Sequence, residues 1–313
     1  MDLNSTYITL DGYVELSKYR CLYFLLLFTA YILILCSNST IMCLIVIHRS
    51  LHEPMYVFIA ALLTNSLLFS SALYPKLLLD VLSETPVVSY PVCLFQWFMY
   101  YTLGGSEFLL LAAMAYDRYV SICRPLLYPS IMRKANVCVC LLLAWLLPVC
   151  HTTAVIIRNA HEKLCRFTFT GIICNSTVYK LHCLTSVVLN IYGFVVLVNI
   201  LLLPLLFILF TYVRILIISY RSGRDVRRKA ANTCLPHLLV LISFSCLGIY
   251  DVLLARIETD LPKVLRLILS LQVILYHPLF NPIIYGVKMK EIYKHIMKLF
   301  CSDRRLKCAK VHH

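Results

Sequence analysis

Seven apolar runs, each long enough to cross a lipid bilayer, dictate the architecture of this chain. They cover Leu22–Ile47, Met55–Leu82, Cys93–Tyr116, Val137–Ile157, Ser186–Ile218, Cys234–Ala255 and Leu261–Val287. A helix needs about 20 mainly apolar residues to span the hydrocarbon, and lipid satisfies no unpaired backbone group, so each run is expected to be a helix. The sixth run is weakened by Ser243, Ser245 and Asp251, the seventh by His277, Asn281 and two prolines. Composition points the same way, with 61% hydrophobic and 14% charged residues and a mean hydropathy of +0.82. Soluble domains carry about 45–50% apolar and about 25% charged residues, so a soluble fold would expose far too much apolar surface. The expected fold class is therefore an all-α membrane protein, a seven-transmembrane helix bundle over 22–287. Residues 1–21 form its extracellular N-terminus, and 288–313 a cytoplasmic amphipathic helix and tail.

The net charge of +14 would suit a nucleic-acid partner only if it were gathered on a groove, and it is not. The cations sit in the short gaps between apolar runs. With the N-terminus outside, 19 basic residues face the cytoplasm against five acidic ones. The outer side carries ten basic and nine acidic residues. Lys and Arg collect on the cytoplasmic side, so this asymmetry sets the orientation. Two glycosylation acceptors, at Asn4 and Asn175, fall on the outer side. A third tripeptide, at Asn38, lies inside the first span, where it is sterically closed. Four of the 15 cysteines (Cys93, Cys165, Cys174 and Cys183) also fall outside. An even number in an oxidising compartment reads as two disulfides, with three pairings possible. Met1 to Lys18 lacks a basic start and a short apolar core, so the first run is expected to serve as both address and anchor.

Polar residues inside a span are costly and mark function by default. The third span holds the most informative set. Tyr100 and Glu107 are seven residues apart, and Glu107 and Arg118 eleven. At 100° per residue both pairs fall within about 20° of one face. Gly104 leaves open volume above Glu107. The carboxyl has two readings, a switch or ion site in the bundle core and a hydrogen-bonded group that orders the helices. Met114-Ala115-Tyr116-Asp117-Arg118-Tyr119 then closes the span at its cytoplasmic end.

That hexapeptide closely resembles the third-helix signature of odorant receptors in the rhodopsin-like G-protein-coupled class. The resemblance runs along nearly the whole chain. Leu51-His52-Glu53-Pro54-Met55-Tyr56 is similar to the family's first inner loop, and Pro75-Lys76-Leu77-Leu78 to its second-helix motif. Residues 229–238, Lys-Ala-Ala-Asn-Thr-Cys-Leu-Pro-His-Leu, are similar to the start of its sixth helix, and Asn281-Pro282-Ile283-Ile284-Tyr285-Gly286 to the end of its seventh. Leu235-Pro236-His237 and Asn65-Ser66 look more like the fish branch.

The resemblance implies roles. Arg118 is held by Asp117 at rest and swings towards a stimulatory, olfactory-type G protein on activation, with Tyr119, Tyr212, His237 and Tyr285 in the same switch. Asn281 and Pro282 weaken the seventh helix where it must move. The implied disulfides are Cys93–Cys174 and Cys165–Cys183. Asn38, Ser66 and Glu107 make a polar core. Many rhodopsin-like receptors carry a sodium-binding aspartate where this chain has Ser66, which puts the usual sodium sensitivity in doubt. A small-molecule odorant would enter from outside. By position its contacts would be Tyr100, Tyr101, Gly104 and Gly105, with Val196 and Asn199 on the fifth span and Gly248, Tyr250, Asp251 and Val252 on the sixth. Asp251 is also placed to pair with Arg256 or Lys263.

Other classes fare worse. A transporter would show paired broken helices in an internal repeat, and none is evident. An enzyme would need clustered His, Asp or Cys at ligand or nucleophile spacing. No catalytic residue, cofactor or nucleic-acid partner is expected. The basic segment Arg221–Lys229 would contact anionic lipid and, by resemblance, the G protein. The run from Lys288 to Phe300 reads as an amphipathic helix lying on the membrane, followed by Cys301 and Cys308 as palmitoylation candidates.

Overall fold

The computed structural model of the chain describes residues 7–183, 187–221 and 262–299, with Cys234, Leu238, 240–242, Ser245 and Gly248 between them (backbone only at 189, 190 and 277). Its long helices are α1 (Leu16–Ile47), α2 (Pro54–Leu82), α3 (Tyr90–Cys123) and α4 (Lys134–Ala160). They are followed by α5 (Val187–Leu197), α6 (Leu203–Arg221) and α7 (Lys263–Lys288). Helix α5 runs into α6 through a π turn, Val198–Leu202. Among the described residues five helices are long and apolar enough to cross a membrane, and bent α7 supplies a further span. The predicted sixth run falls mostly outside the described residues. So do Asn4, His237, Tyr250, Asp251, Val252, Cys301 and Cys308.

Most helices outrun their apolar cores. Helix α3 starts at Tyr90 rather than Cys93 and ends at Cys123 rather than Tyr116. Hydropathy marks only the part in hydrocarbon, whereas the backbone continues until something stops it. Pro54 starts α2 at its first position, after an extended Glu53, because a missing N–H costs nothing there.

Prolines inside the spans have structural consequences that can be followed atom by atom. A proline at position i leaves the carbonyl at i−4 without its helical donor. In α7, Pro282 frees the carbonyl of Pro278, and the Asn38 amide of α1 donates to it at 2.9 Å. Pro278 in turn frees the carbonyl of Ile274, towards which the Tyr74 phenol of α2 points at 3.5 Å. The helix bends by 44° between Lys263–Tyr276 and Pro278–Lys288, immediately before the first of these prolines. Pro204 likewise cannot donate to Ile200, and the chain widens there into the π turn.

One feature of the outer end departs from the all-helical expectation. Residues 7–10 form a strand, β1 (Tyr7–Leu10), between β2 (Val87–Ser89) and β3 (Thr168–Phe169). The β1–β2 pair is antiparallel, Ile8 opposite Val88, and β1–β3 is parallel, Thr9 opposite Thr168. Tyr7-Ile8-Thr9-Leu10 alternates exposed and buried, a period-two signal that is present in the sequence but too short to stand out. The disulfides Cys93–Cys174 and Cys165–Cys183 hold the loop that carries β3.

Candidate functional site

Helix α3 organises the site. Its buried Glu107, 1% exposed, accepts hydrogen bonds from two other helices. Asn65 of α2 donates to Oε2 at 3.0 Å, and Asn281 of α7 donates to Oε1 at 2.7 Å. The same Asn281 amide lies 3.0 Å from the Ser66 hydroxyl. Asn65 also donates to the Leu103 carbonyl at 2.9 Å and accepts from the Trp145 indole of α4 at 3.3 Å. Three helices thus meet at one carboxyl, and α4 joins the network through Asn65. Such satisfaction is what a buried charge or polar group requires, since leaving one partner unpaired costs about 1–3 kcal/mol. Asn38 joins α1 to α7 through the Pro278 carbonyl rather than touching Glu107. Trp145 packs against the apolar core and also supplies a hydrogen bond to this hub.

Three turns further in, Asp117 is fully buried. Arg118 pairs with its Oδ2, the Nε at 3.0 Å and Nη2 closer still. The second oxygen accepts from the Tyr128 phenol at 2.8 Å. Tyr128 opens the one-turn helix Tyr128–Ile131 in the second inner loop. Burial raises the phenol's pKa, and the neighbouring Asp117 carboxylate raises it further, so the group stays a donor. Tyr212 and Tyr285 are buried in the apolar cluster at this end of the bundle, and Tyr119 packs against it. Sequence reasoning overlooked Tyr128, because its role depends on how the loop folds back beneath α3.

One turn outside Glu107 lies Gly104, where an added Cβ would have nothing within 4 Å. One turn further out on the same helix stand Tyr100 and Tyr101, whose rings meet edge-on at 5.0 Å. Phe69 of α2 approaches Tyr100 at 5.7 Å. The Tyr101 phenol donates to Ser176 of the second outer loop at 2.9 Å. Aromatic walls with one or two polar groups are what small-molecule sites usually offer.

A family model described as Olfactory receptor matches residues 27–303. The chain belongs to the olfactory receptor family. It is 31% identical to human Olfactory receptor 52A1 over 94% of its own length and 96% of that relative's. It is also 31% identical to human Olfactory receptor 11A1 (95% and 94%) and to rat Olfactory receptor 1500 (92% and 93%). The receptor is thus a multi-pass membrane protein of a family of receptors rather than enzymes.

Some residues expected around the odorant sit elsewhere in the receptor. Gly105 faces α4 and the π turn, where a Cβ would stand 2.8 Å from Ile200 and 3.1 Å from Pro148. It is a close-packing position, not a pocket wall. Asn199 is exposed while Ile200 and Leu201 are buried. The π turn at Val198–Leu202 breaks the uniform helical period along the fifth span. Val196 is half-buried. Gly248 packs against Leu201 and Phe108, which an added Cβ would meet at 3.2 and 3.4 Å. Asn175 accepts from the Thr177 backbone N–H at 3.0 Å and hydroxyl at 2.6 Å, capping a short 3-10 helix.

Proposed function

We propose that the receptor binds a small odorant from the extracellular side, in the space beside Gly104, and activates a stimulatory heterotrimeric G protein to raise cAMP. One observation carries the reading. A single helix, α3, holds the open space at Gly104, the four-helix hub at Glu107 and the Asp117–Arg118 pair in succession. The Leu103 carbonyl beside that space is a partner of Asn65, which also holds Glu107. A ligand that shifts α3 by a fraction of an ångström therefore strains the hub directly. Binding one arrangement better than the other would then move the population between them.

The inner end suits the second half of this reading. Arg118 can exchange Asp117 for backbone carbonyls of an inserted partner helix without being left unpaired. Orientation with the N-terminus outside and the tail in the cytoplasm is supported by the 19 basic residues of the inner segments. It agrees with both disulfides lying at the other end.

The test is cAMP production in cells co-expressing the receptor with an olfactory-type stimulatory G protein, across amines, acids, esters and steroids. A ligand-dependent rise that Arg118→Ala abolishes, at matched surface expression, is the expected result. A rise untouched by Arg118→Ala would sink the proposed role of that residue.

A further inference from the structure

The outer end shows how the candidate pocket is covered. Ile172 and Ile173 of the second outer loop are buried, 1% and 6% exposed, in one cluster with Leu77 of α2, Leu103 of α3 and Leu267 of α7. That loop therefore packs between the outer ends of α2, α3 and α7, against the cluster that Tyr100 joins one turn outside Gly104. Over the loop lies the N-terminal segment. Thr9 and Asp11 donate backbone hydrogen bonds to Phe167 and Phe169, both at 2.8 Å, and Leu10 donates to Pro86 at 2.9 Å. Ile8 and Leu10 are buried against Trp97 and Phe169, and Tyr13 is buried beside Ile172. At Gly12 the two backbones touch: an added Cβ would stand 2.4 Å from the Gly171 carbonyl carbon. No side chain fits there. Asp11 is paired with Lys263 at the start of α7, at 2.6 Å.

We propose that residues 7–14 are a latch that holds the second outer loop closed over the candidate pocket, so that a water-borne ligand reaches Gly104 only when the latch releases. The inference rests on the space beside Gly104 being the pocket. Its physical basis is the kind of bonds involved. The bridges at Cys93–Cys174 and Cys165–Cys183 limit how far the loop moves, so opening is a small lift of its 169–173 stretch and not a swing of the whole loop. The latch is joined by backbone hydrogen bonds, one exposed ion pair and three apolar side chains, all of which can open without breaking a covalent bond. Exposed pairs such as Asp11–Lys263 contribute little. Most of the hold comes from Ile8, Leu10 and Tyr13, whose apolar surface is removed from water. A unit of that size opens locally far more often than the bundle unfolds.

The experiment places a reporter thiol in the pocket of the full-length receptor. Gly104→Cys is sterically free, and its reaction is read as the increment over the Gly104 parent. The reagents are a charged, membrane-impermeant thiosulfonate and an uncharged, lipid-soluble one. Two latch variants are compared, each checked for surface expression: Leu10→Asp, and Gly12→Ala, which alters no buried side chain and only forces the two backbones apart. With the latch intact, the charged reagent should label the introduced thiol slowly. In both latch variants labelling should be about tenfold faster, the change expected when an opening equilibrium loses one good contact. The lipid-soluble reagent should label all forms alike. Equal charged-reagent rates in every form, with the lipid-soluble reagent reacting normally, would overturn the latch and leave the pocket standing. Failure of both reagents everywhere would overturn the pocket and the latch together.

Discussion

The two ends of this receptor are held by different kinds of bond. The outer end is tied by two disulfides and a three-stranded sheet. The inner half is tied by exchangeable hydrogen bonds, centred on Glu107 and on Asp117. Covalent links keep one geometry, and only the β1 strand laid over them is held by bonds that can open. Side-chain hydrogen bonds between amides, carboxylates and phenols can be traded for others at small net cost, because each is worth only about 0.5–1.5 kcal/mol net. The contrast places motion in the inner half and rigidity in the outer frame, the division a receptor needs if a ligand at one end is to move the other.

The largest effect should come from cutting the frame. Cys174→Ser opens a bridge between positions 81 residues apart, a loop whose closure is worth about 4–5 kcal/mol on the chain-entropy account. Surface receptor measured by antibody binding on intact cells should fall to background. Surface levels near those of the parent would mean that the frame stands without that bridge.

Next is the hub. Glu107→Leu leaves the Asn65 and Asn281 amides without their shared acceptor, and should cost about 2–4 kcal/mol, read as a lower melting temperature of detergent-solubilised receptor. Glu107→Gln keeps one acceptor oxygen and most of the shape. A Gln variant that is stable but silent in the cAMP assay makes the carboxyl a switch. One that is stable and fully responsive makes it a structural tie.

A smaller effect is expected at the inner lock. Tyr128→Phe deletes the phenol that holds Asp117 Oδ1 and leaves the Arg118 pair in place. A hydrogen bond to a charged group is worth about 1.5–3 kcal/mol, part of which water can replace. Basal cAMP should rise by about two- to fivefold, the factor that follows from a fraction of that energy. Unchanged basal signalling would show that the loop does not restrain the arginine.

The smallest effect belongs to the outer frame again. His182 lies 3.1 Å from the Tyr90 phenol, which donates to the Asn159 carbonyl at 2.7 Å. Burial lowers the histidine's pKa, with Glu162 opposing in part. The folded receptor therefore binds fewer protons here than the unfolded chain. The stability contributed is fully present above the usual value of about 6.5 and is lost as pH falls below it. Melting temperature should drop between about pH 7.5 and about pH 5.5, a window that brackets that value, and His182→Gln should flatten the slope. A slope that is identical in the variant would assign the acid sensitivity to other groups.

Much of this molecule was legible from the chain alone. Long apolar runs determine a membrane helix bundle, because no other backbone arrangement built from such runs is satisfied in lipid. The face shared by Tyr100, Glu107 and Arg118 follows from helical period, and Gly104 follows as the gap in it. The family follows from Met114–Tyr119 and Asn281–Gly286. What the chain could not disclose depends on partners far apart in sequence. Asn38 was visible as a polar residue in the first span, but its role, replacing the donor that Pro282 removes, required α1 and α7 to meet. Gly105 and Gly104 are adjacent and chemically identical. One is pressed against Pro148 and the other faces open space, and only the packing of α4 and the π turn decided which. Tyr128 and the N-terminal latch are the same lesson on a larger scale. Local periodicity acts over a turn or two, whereas hydrogen bonds and close contacts between distant segments exist only once the bundle has set the distances between them.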